Sequence, residues 1–351
     1  MKKKLVVFTH NDLDGVSCAL LGKIMSESLS EIFDEYEYHI CNYNDIDEKI
    51  RAFFEDLDKD TKYRIFITDI SVNKETAKII DDYRLERHGE DNWIYLHLYD
   101  HHETSRWLSR EYGWATVTTD LHVGVDAGFH PFPKRRLTSG TELFFLNEAL
   151  IRIDDPDIKA NLIDFVELVR CWDTWDWKRE NNLEAKRLNN FFSMFEDRNE
   201  FVENYYNKIV LDKENFKLFS DEETKMLDDK QKIIDEFIKE KEKALKVINK
   251  LEYKYDVGII TVDTYDNVSE LASYINDKYC FDFVAIVIKD SKKVSLRASD
   301  ESEVDVSEIA ARFGGGGHKK ASGCNLTEEV IDFLKLNLVS EDFYKSKFTT
   351  K

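Results

Sequence analysis

A chain of 351 residues with 42% hydrophobic content suits two domains, or one large domain with a smaller one, each able to bury an ordinary core. Its formal net charge of −20 and the lack of a basic stripe argue against a protein that tracks along a long polyphosphate backbone. No apolar run approaches the roughly 18 residues of a membrane-spanning helix. Five scattered cysteines (Cys18, Cys41, Cys171, Cys280 and Cys324), with no CxxC pair, exclude a disulfide framework and a thiolate zinc site and fit a reducing cytoplasm.

The N-terminus, MKKKLVVFTH, starts basic, but its apolar stretch is too short for a signal peptide and reads as a first β-strand over 4–10. Further strand-like runs follow at 36–43 (YEYHICNY), 63–70 (YRIFITDI), 93–100 (WIYLHLYD) and 115–120 (ATVTTD). Stretches of helical period separate them, such as DGVSCALLGKIMSESL and IDEKIRAFFEDL. Strand and helix in alternation predict a doubly wound, mainly parallel sheet. KRR at 134–136 reads as a local basic patch. From about 138 to 250 the pattern is helical throughout. Pro156 falls in a first turn, and a long amphipathic helix over 220–250 carries apolar residues at 227, 233, 234, 237, 238, 245 and 248. That helix is expected to pack on its own domain, with pairing in a homodimer as the alternative. Alternation then returns: a strand at 255–262, a helix in SELASYINDKY, two strands in DFVAIVIKD and KKVSLRAS, and a short helix, VSEIAARF, that runs into GGGGHKK. The expected domains are 1–185, a helical connector over 186–252, and a smaller α/β domain over 253–351.

In an open parallel sheet, ligands bind beyond the carboxyl ends of the strands. The first strand ends in HNDLDG (His10, Asp12, Asp14), the third in Asp69, and the fourth in Asp100, His101 and His102. A lone aspartate at a strand end is more often a helix N-cap than a ligand. So many acidic groups in one crevice, however, cost several kcal/mol in desolvation and repulsion without a cation. Carboxylate and imidazole donors without thiolates suit Mn²⁺ or Mg²⁺, with Zn²⁺ or Co²⁺ as alternatives. The donors outnumber the needs of one ion and suit two, about 3.5–4 Å apart, sharing a carboxylate.

Together, HNDLDG, ITDIS, YDHHETS and the C-terminal VSLRAS…VDVSEIAARFGGGGHKKASG resemble the DHH phosphoesterase family with its DHH-associated C-terminal domain, over roughly 1–180 and 255–325. The family includes RecJ-type exonucleases, nanoRNases, adenosine bisphosphate phosphatases and cyclic dinucleotide phosphodiesterases. The resemblance implies that His10 and Asp12 bind one metal, that Asp69 bridges both, and that Asp14 and His101 bind the second. It further implies that Asp100 orients the histidine pair and that His102 contacts the scissile phosphate. Asp173 matches the family's fourth motif, with Asp176 as the alternative. Many relatives place three residues between the histidine and the first aspartate. Here Asn11 alone separates His10 from Asp12, which leaves the metal role of His10 open. Gly314, Gly315, Gly316 and Gly317, with His318 and Arg297, match the family's substrate-binding loop, where bare amides wrap a phosphate or press on a base. Lys319 and Lys320 read as solvated surface.

The resemblance implies an active site in the cleft between two α/β domains, holding two divalent ions, most simply Mn²⁺. The expected activity is hydrolysis of phosphodiester bonds in short oligonucleotides by a cytoplasmic exonuclease, with no membrane and no long duplex as partner. The alternatives are a cyclic dinucleotide or adenosine bisphosphate phosphoesterase and, in another class, a non-catalytic nucleotide-binding protein. The family's pyrophosphatases carry a different C-terminal domain, so that activity ranks low.

Overall fold

The apolar run at the N-terminus becomes the centre of a parallel sheet. The computed structural model describes residues 2–29, 31–86, 94–123, 134–251, 254–299 and 301–335. In chain order the first elements are β1 (Lys2–His10), α1 (Leu13–Ser28), β2 (Glu35–Cys41), α2 (Ile46–Glu55), β3 (Thr61–Thr68), α3 (Lys74–Glu86), β4 (Ile94–Asp100), α4 (Arg106–Glu111) and β5 (Ala115–Val117). The strands lie in the order β2-β1-β3-β4-β5, every pair parallel. Successive side chains enter opposite cores, as strand geometry requires. Leu5 and Val7 join α1 on one face, while Val6 and Phe8 meet α2 and α3 on the other. Strand order reverses between β1 and β3, the position at which open α/β sheets form their binding crevice.

The single strand expected over 115–120 is divided. β5 stops at Val117, and Thr118 N–H turns to the Asp100 carbonyl at 3.2 Å. A separate hairpin follows, β6 (Asp120–Val123) antiparallel to β7 (Lys134–Leu137). β7 carries the KRR triplet. Its Arg136 is not a free cation, because it pairs with Glu167 at 2.7 Å and with Glu142.

Helices come next: α5 (Gly140–Phe144), which continues into a π-helical turn at Phe145–Ala149, α6 (Pro156–Asp173), α7 (Asp176–Arg179), α8 (Leu183–Phe192), α9 (Arg198–Tyr206) and α10 (Asp221–Glu242). Asp155 caps α6 by accepting the Asp157 and Ile158 amides, with Pro156 in the first turn. The long helix is shorter than its periodicity predicts. It ends at Glu242, and the next three amides bond three residues back, Lys243 to Glu240, Ala244 to Lys241 and Leu245 to Glu242. β8 (Lys246–Leu251) then adds an antiparallel edge strand to β9 (Tyr255–Val262). The adjacent β-branched residues Val247 and Ile248 favour the pleated edge over another helical turn. The buried stripe of α10 is also narrower than expected: Ile234 and Ile238 are buried, but Ile233 is 65% exposed.

After β9 come α11 (Val268–Tyr279), β10 (Phe283–Ile288), β11 (Lys293–Arg297), α12 (Val306–Arg312), β12 (Gly316–His318), β13 (Ala321–Asn325) and α13 (Glu328–Phe333). They form a mixed sheet ordered β12-β13-β11-β10-β9-β8, with separate apolar clusters around Phe283 and Ile286. The chain divides into two compact units, Met1–Leu227 and Asp228–Lys351, and the division falls inside α10. Among the described residues, no helix is long and apolar enough to cross a membrane.

Candidate metal centre

Three strand ends meet beside the reversal in strand order. His10 closes β1, Asp69 follows β3 directly, and Asp100 closes β4 with His101 and His102 next in the chain. Asp12 has two tasks. It is the N-cap of α1, where one oxygen accepts the Gly15 amide at 3.0 Å, and its other oxygen lies 2.7 Å from His10 Nδ1. The short His10-Asn11-Asp12 spacing thus still brings the imidazole to the cluster, because the chain turns at once into the helix.

Asp69 is buried and takes a left-handed backbone, φ 57°, rare for a residue with a Cβ. Its amide is tied to the Tyr99 carbonyl at 2.9 Å. Its carboxylate stands between two groups of donors, with Oδ1 3.2 Å from His101 Nε2 and Oδ2 3.9 Å from His10 Nδ1. Asp173, the last residue of α6, places Oδ2 3.3 Å from His101 Nε2. Asp176 points elsewhere, into a buried ion pair with Arg170 at 2.7 Å and a second with Arg179 at 2.8 Å. Asp14 completes the group, its Oδ2 3.8 Å from His101 Nε2.

Asp100 is buried and directs one imidazole rather than both. Its Oδ1 accepts the His101 amide at 2.8 Å and His102 Nδ1 at 2.7 Å, so His102 Nε2 is the ring nitrogen that Asp100 does not engage. It orients only the backbone of His101, whose Nε2 turns instead to Asp14, Asp69 and Asp173.

Three further residues belong to this neighbourhood although no motif flagged them. Gly140 opens α5, and its amide and that of Thr141 hold the two Asp14 oxygens at 2.6 and 3.0 Å. A Cβ at Gly140 would stand 2.5 Å from Asp69 Cβ, so the glycine lets the helix end press against both carboxylates. The local signal for it was a glycine directly after a capping serine, Ser139, which accepts the Glu142 amide. Tyr43, in the turn after β2, sets its hydroxyl 3.5 Å from His102 Nε2. Arg198, from the first turn of α9, donates from Nε to Asn11 at 3.1 Å.

The electrostatics of the cluster are those of crowded, buried carboxylates. Burial, reinforced by Asp14, Asp12 and Asp173, pushes the Asp69 carboxyl well above the usual range. Burial also raises Asp173 to about 7, against the pull of His101 and with the push of Asp14 and Asp12. Burial opposes the His102 cation, but the Asp100 hydrogen bond and the charges of Asp100, Asp173 and Asp12 together outweigh it and lift His102 to about 9. Desolvation likewise opposes the Asp12 anion, yet the bond from His10 holds it down at about 2.

The donor set fits a pair of divalent cations. Both Asp69 oxygens, His101 Nε2 and Asp173 Oδ2 are buried without a hydrogen-bond partner, an arrangement that is costly unless a cation sits among them. Ligand atoms of His10, Asp12 and Asp69 form one close group, those of Asp14, His101 and Asp173 a second, and those of Asp69, His101 and His102 a third that shares Asp69 with the first. All are oxygen or nitrogen, a set that suits Mn²⁺ or Mg²⁺.

The second unit contains a cavity of 450 Å³ lined by Tyr265, Ser295, Arg297, all four loop glycines and β13. Arg297 is largely buried; its Nη1 donates to the Leu296 carbonyl at 3.0 Å, and its Nε has no partner. The four glycines are not equivalent. A Cβ on Gly315 would stand 2.2 Å from the Gly323 carbonyl, and one on Gly317 would stand 2.6 Å from that of Ala321. Gly314 needs its positive φ of 68°, whereas a Cβ on Gly316 would meet nothing within 4 Å. His318 closes β12, and its side chain lies outside the described residues. Lys319 is exposed as expected. Lys320 is not simply solvated, because its ammonium donates to the Ser299 carbonyl at 2.8 Å and to that of Ser302.

Residues 256–341 match the DHHA1 domain family. Oligoribonuclease NrnB of Bacillus subtilis (strain 168) is 31% identical over 354 residues, covering 98% of this chain and 80% of that protein. A 3′,5′-cyclic-nucleotide phosphodiesterase of Helicobacter pylori (strain ATCC 700392 / 26695) is 22% identical over 348 residues, 90% of each. The solved structure of RecJ in complex with Mn²⁺ from Thermus thermophilus shares the fold, with a TM-score of 0.56 at 13% identity, covering 95% of this chain and 51% of that one.

Proposed function

The chain belongs to the DHH phosphoesterase family, and from that premise we propose that it is a two-metal exonuclease of the cytoplasm that hydrolyses short oligonucleotides with Mn²⁺ as its working ion. The observation that carries this reading is the Asp69 carboxylate, whose two unpartnered oxygens turn toward different groups of ligands. The similarity to an oligoribonuclease over nearly the whole chain supports the substrate class. Mn²⁺ is also the ion bound in the RecJ structure of similar fold, and five cysteines that are all free fit a reducing compartment.

Asp69 would bridge the two ions, His10 and Asp12 would complete one site, and Asp14, His101 and Asp173 the other. Ions bound there would polarise the phosphoryl group and lower the pKa of an attacking water. The remaining work falls to the chain itself. Asp100 fixes the ring of His102, so that Nε2 meets a phosphoryl oxygen in a set position. Gly140 and Thr141 hold Asp14 by both oxygens, so this carboxylate needs no rearrangement when substrate arrives. In the second unit, Arg297 and the open face at Gly316 would grip the part of the substrate away from the cleaved bond.

The test is a substrate panel on protein freed of metal and reloaded with Mn²⁺. Dinucleotides and five-mers should be converted to mononucleotides, and a chelator should stop the reaction. Similarity to a cyclic-nucleotide phosphodiesterase favours a second reading, hydrolysis of cyclic nucleotides. Faster turnover of a cyclic nucleotide than of linear dinucleotides would replace the first reading with the second, and faster turnover of adenosine 3′,5′-bisphosphate would replace it with a bisphosphate phosphatase.

A further inference from the structure

Tyr43 stands in a turn built to hold it. The Asn42 amide bonds Asp45 Oδ1 at 2.7 Å, and the Asp45 amide returns to the Asn42 carbonyl at 3.0 Å. The Lys49 ammonium ties Asp45 at 2.9 Å and the Ile40 carbonyl at 2.7 Å. The phenol ring packs in neither apolar core of its unit and is 56% exposed. It leans instead over two imidazoles, with its centroid 5.1 Å from that of His10 and 6.2 Å, edge-on, from that of His102. The ring adds little to core packing, and its anchored turn fixes the hydroxyl beside the metal-centre imidazoles.

The hydroxyl lies 3.5 Å from His102 Nε2, the ring nitrogen that Asp100 leaves free. Two groups at that separation can both stand about 2.8 Å from a single oxygen atom. We propose that Tyr43 Oη and His102 Nε2 together hold one non-bridging phosphoryl oxygen, which makes Tyr43 a catalytic residue. This inference rests on the phosphoesterase reading above. The phenol donates its proton to the oxygen as a hydrogen bond, without transferring it, so the contact strengthens as negative charge grows there.

Tyr43→Phe removes the hydroxyl alone. It should lower kcat about 10- to 100-fold on a dinucleotide. The loss should be the same on bis(p-nitrophenyl) phosphate, because the contact is at the reacting group. Bound Mn²⁺ and the melting temperature should stay as in the unaltered protein. A second measurement does not need turnover. Calorimetric titration of adenosine 5′-monophosphate into Mn²⁺-loaded protein should give at least a fivefold weaker Kd for the variant. Values of kcat and Kd within twofold of the unaltered protein would overturn the proposal, as would loss of Mn²⁺ from the variant. If the unaltered protein cleaves no phosphodiester, the phosphoesterase reading falls by itself and the titration still decides the phosphate contact. No binding of the monophosphate by the unaltered protein would sink both.

Discussion

Asp69 carries a carboxylate in a backbone conformation that suits glycine, a local cost on the order of 1–3 kcal/mol. Its bond to Tyr99 and the pressing of Gly140 against its Cβ over-determine that geometry. Asparagine tolerates the same φ, so Asp69→Asn removes the charge and keeps the turn. Without metal, the buried carboxyl is opposed by Asp14, Asp12 and Asp173, and the variant should melt above the parent in a chelator. With Mn²⁺ the order should reverse. The parent should gain about 3 kcal/mol at a hundredfold excess over Kd, while the variant should gain little and lose turnover. Calorimetric melting with and without Mn²⁺, together with a metal count, checks this. A variant that still binds two ions with the parent's gain in Tm would remove Asp69 from the bridging position.

At the scale of elements, the glycine run is two devices in one segment. Gly315 and Gly317 allow the loop and β12 to lie against β13, while Gly314 and Gly316 leave open space where a side chain would stand, and of these two only Gly316 lacks the positive φ that strains a side chain. Gly315→Val should therefore act on folding, by overpacking worth roughly 1–3 kcal/mol, seen as a lower Tm. Gly316→Val should leave Tm near the parent's and raise KM about tenfold on a dinucleotide, about 1.4 kcal/mol, with little change on bis(p-nitrophenyl) phosphate. The comparison of Tm with KM separates the two. Equal losses of stability at both positions would make the whole run structural.

At the scale of the whole molecule, a net charge of −20 bears on substrate length. Arg136, from the basic triplet, and Arg170 are taken up by Glu142, Glu167 and Asp176, so neither is free to follow a polyanion. Each phosphate neutralised on a single strand contributes about −0.7 to the salt slope. We expect log(kcat/KM) against log[salt] to have a slope shallower than about −2 between 50 and 200 mM, and dinucleotides to be cleaved more efficiently than long single strands. Steady-state kinetics across that range is the check. A slope near −5 with a preference for long strands would indicate a RecJ-like track instead.

Local pattern alone determined a good deal of this protein. The apolar runs ending at His10, Asp69 and Asp100 specify buried parallel strands, and a binding crevice lies where such strands end, so the candidate ligands and their meeting place were legible. The glycine run likewise announced a close approach of backbone. Tertiary structure decided what depends on partners far along the chain. Asp173 and Asp176 look alike in sequence until Arg170 claims one of them and His101 faces the other. Gly140 matters because its amide meets Asp14 across 126 residues, and Tyr43 because a turn after β2 carries it over His102, 59 residues away. The 246–251 segment follows helical period but finds β9 as a pairing edge. Periods of 2 and 3.6 report which face of a segment is buried. A hydrogen bond between distant residues leaves no period, and only the folded chain selects it.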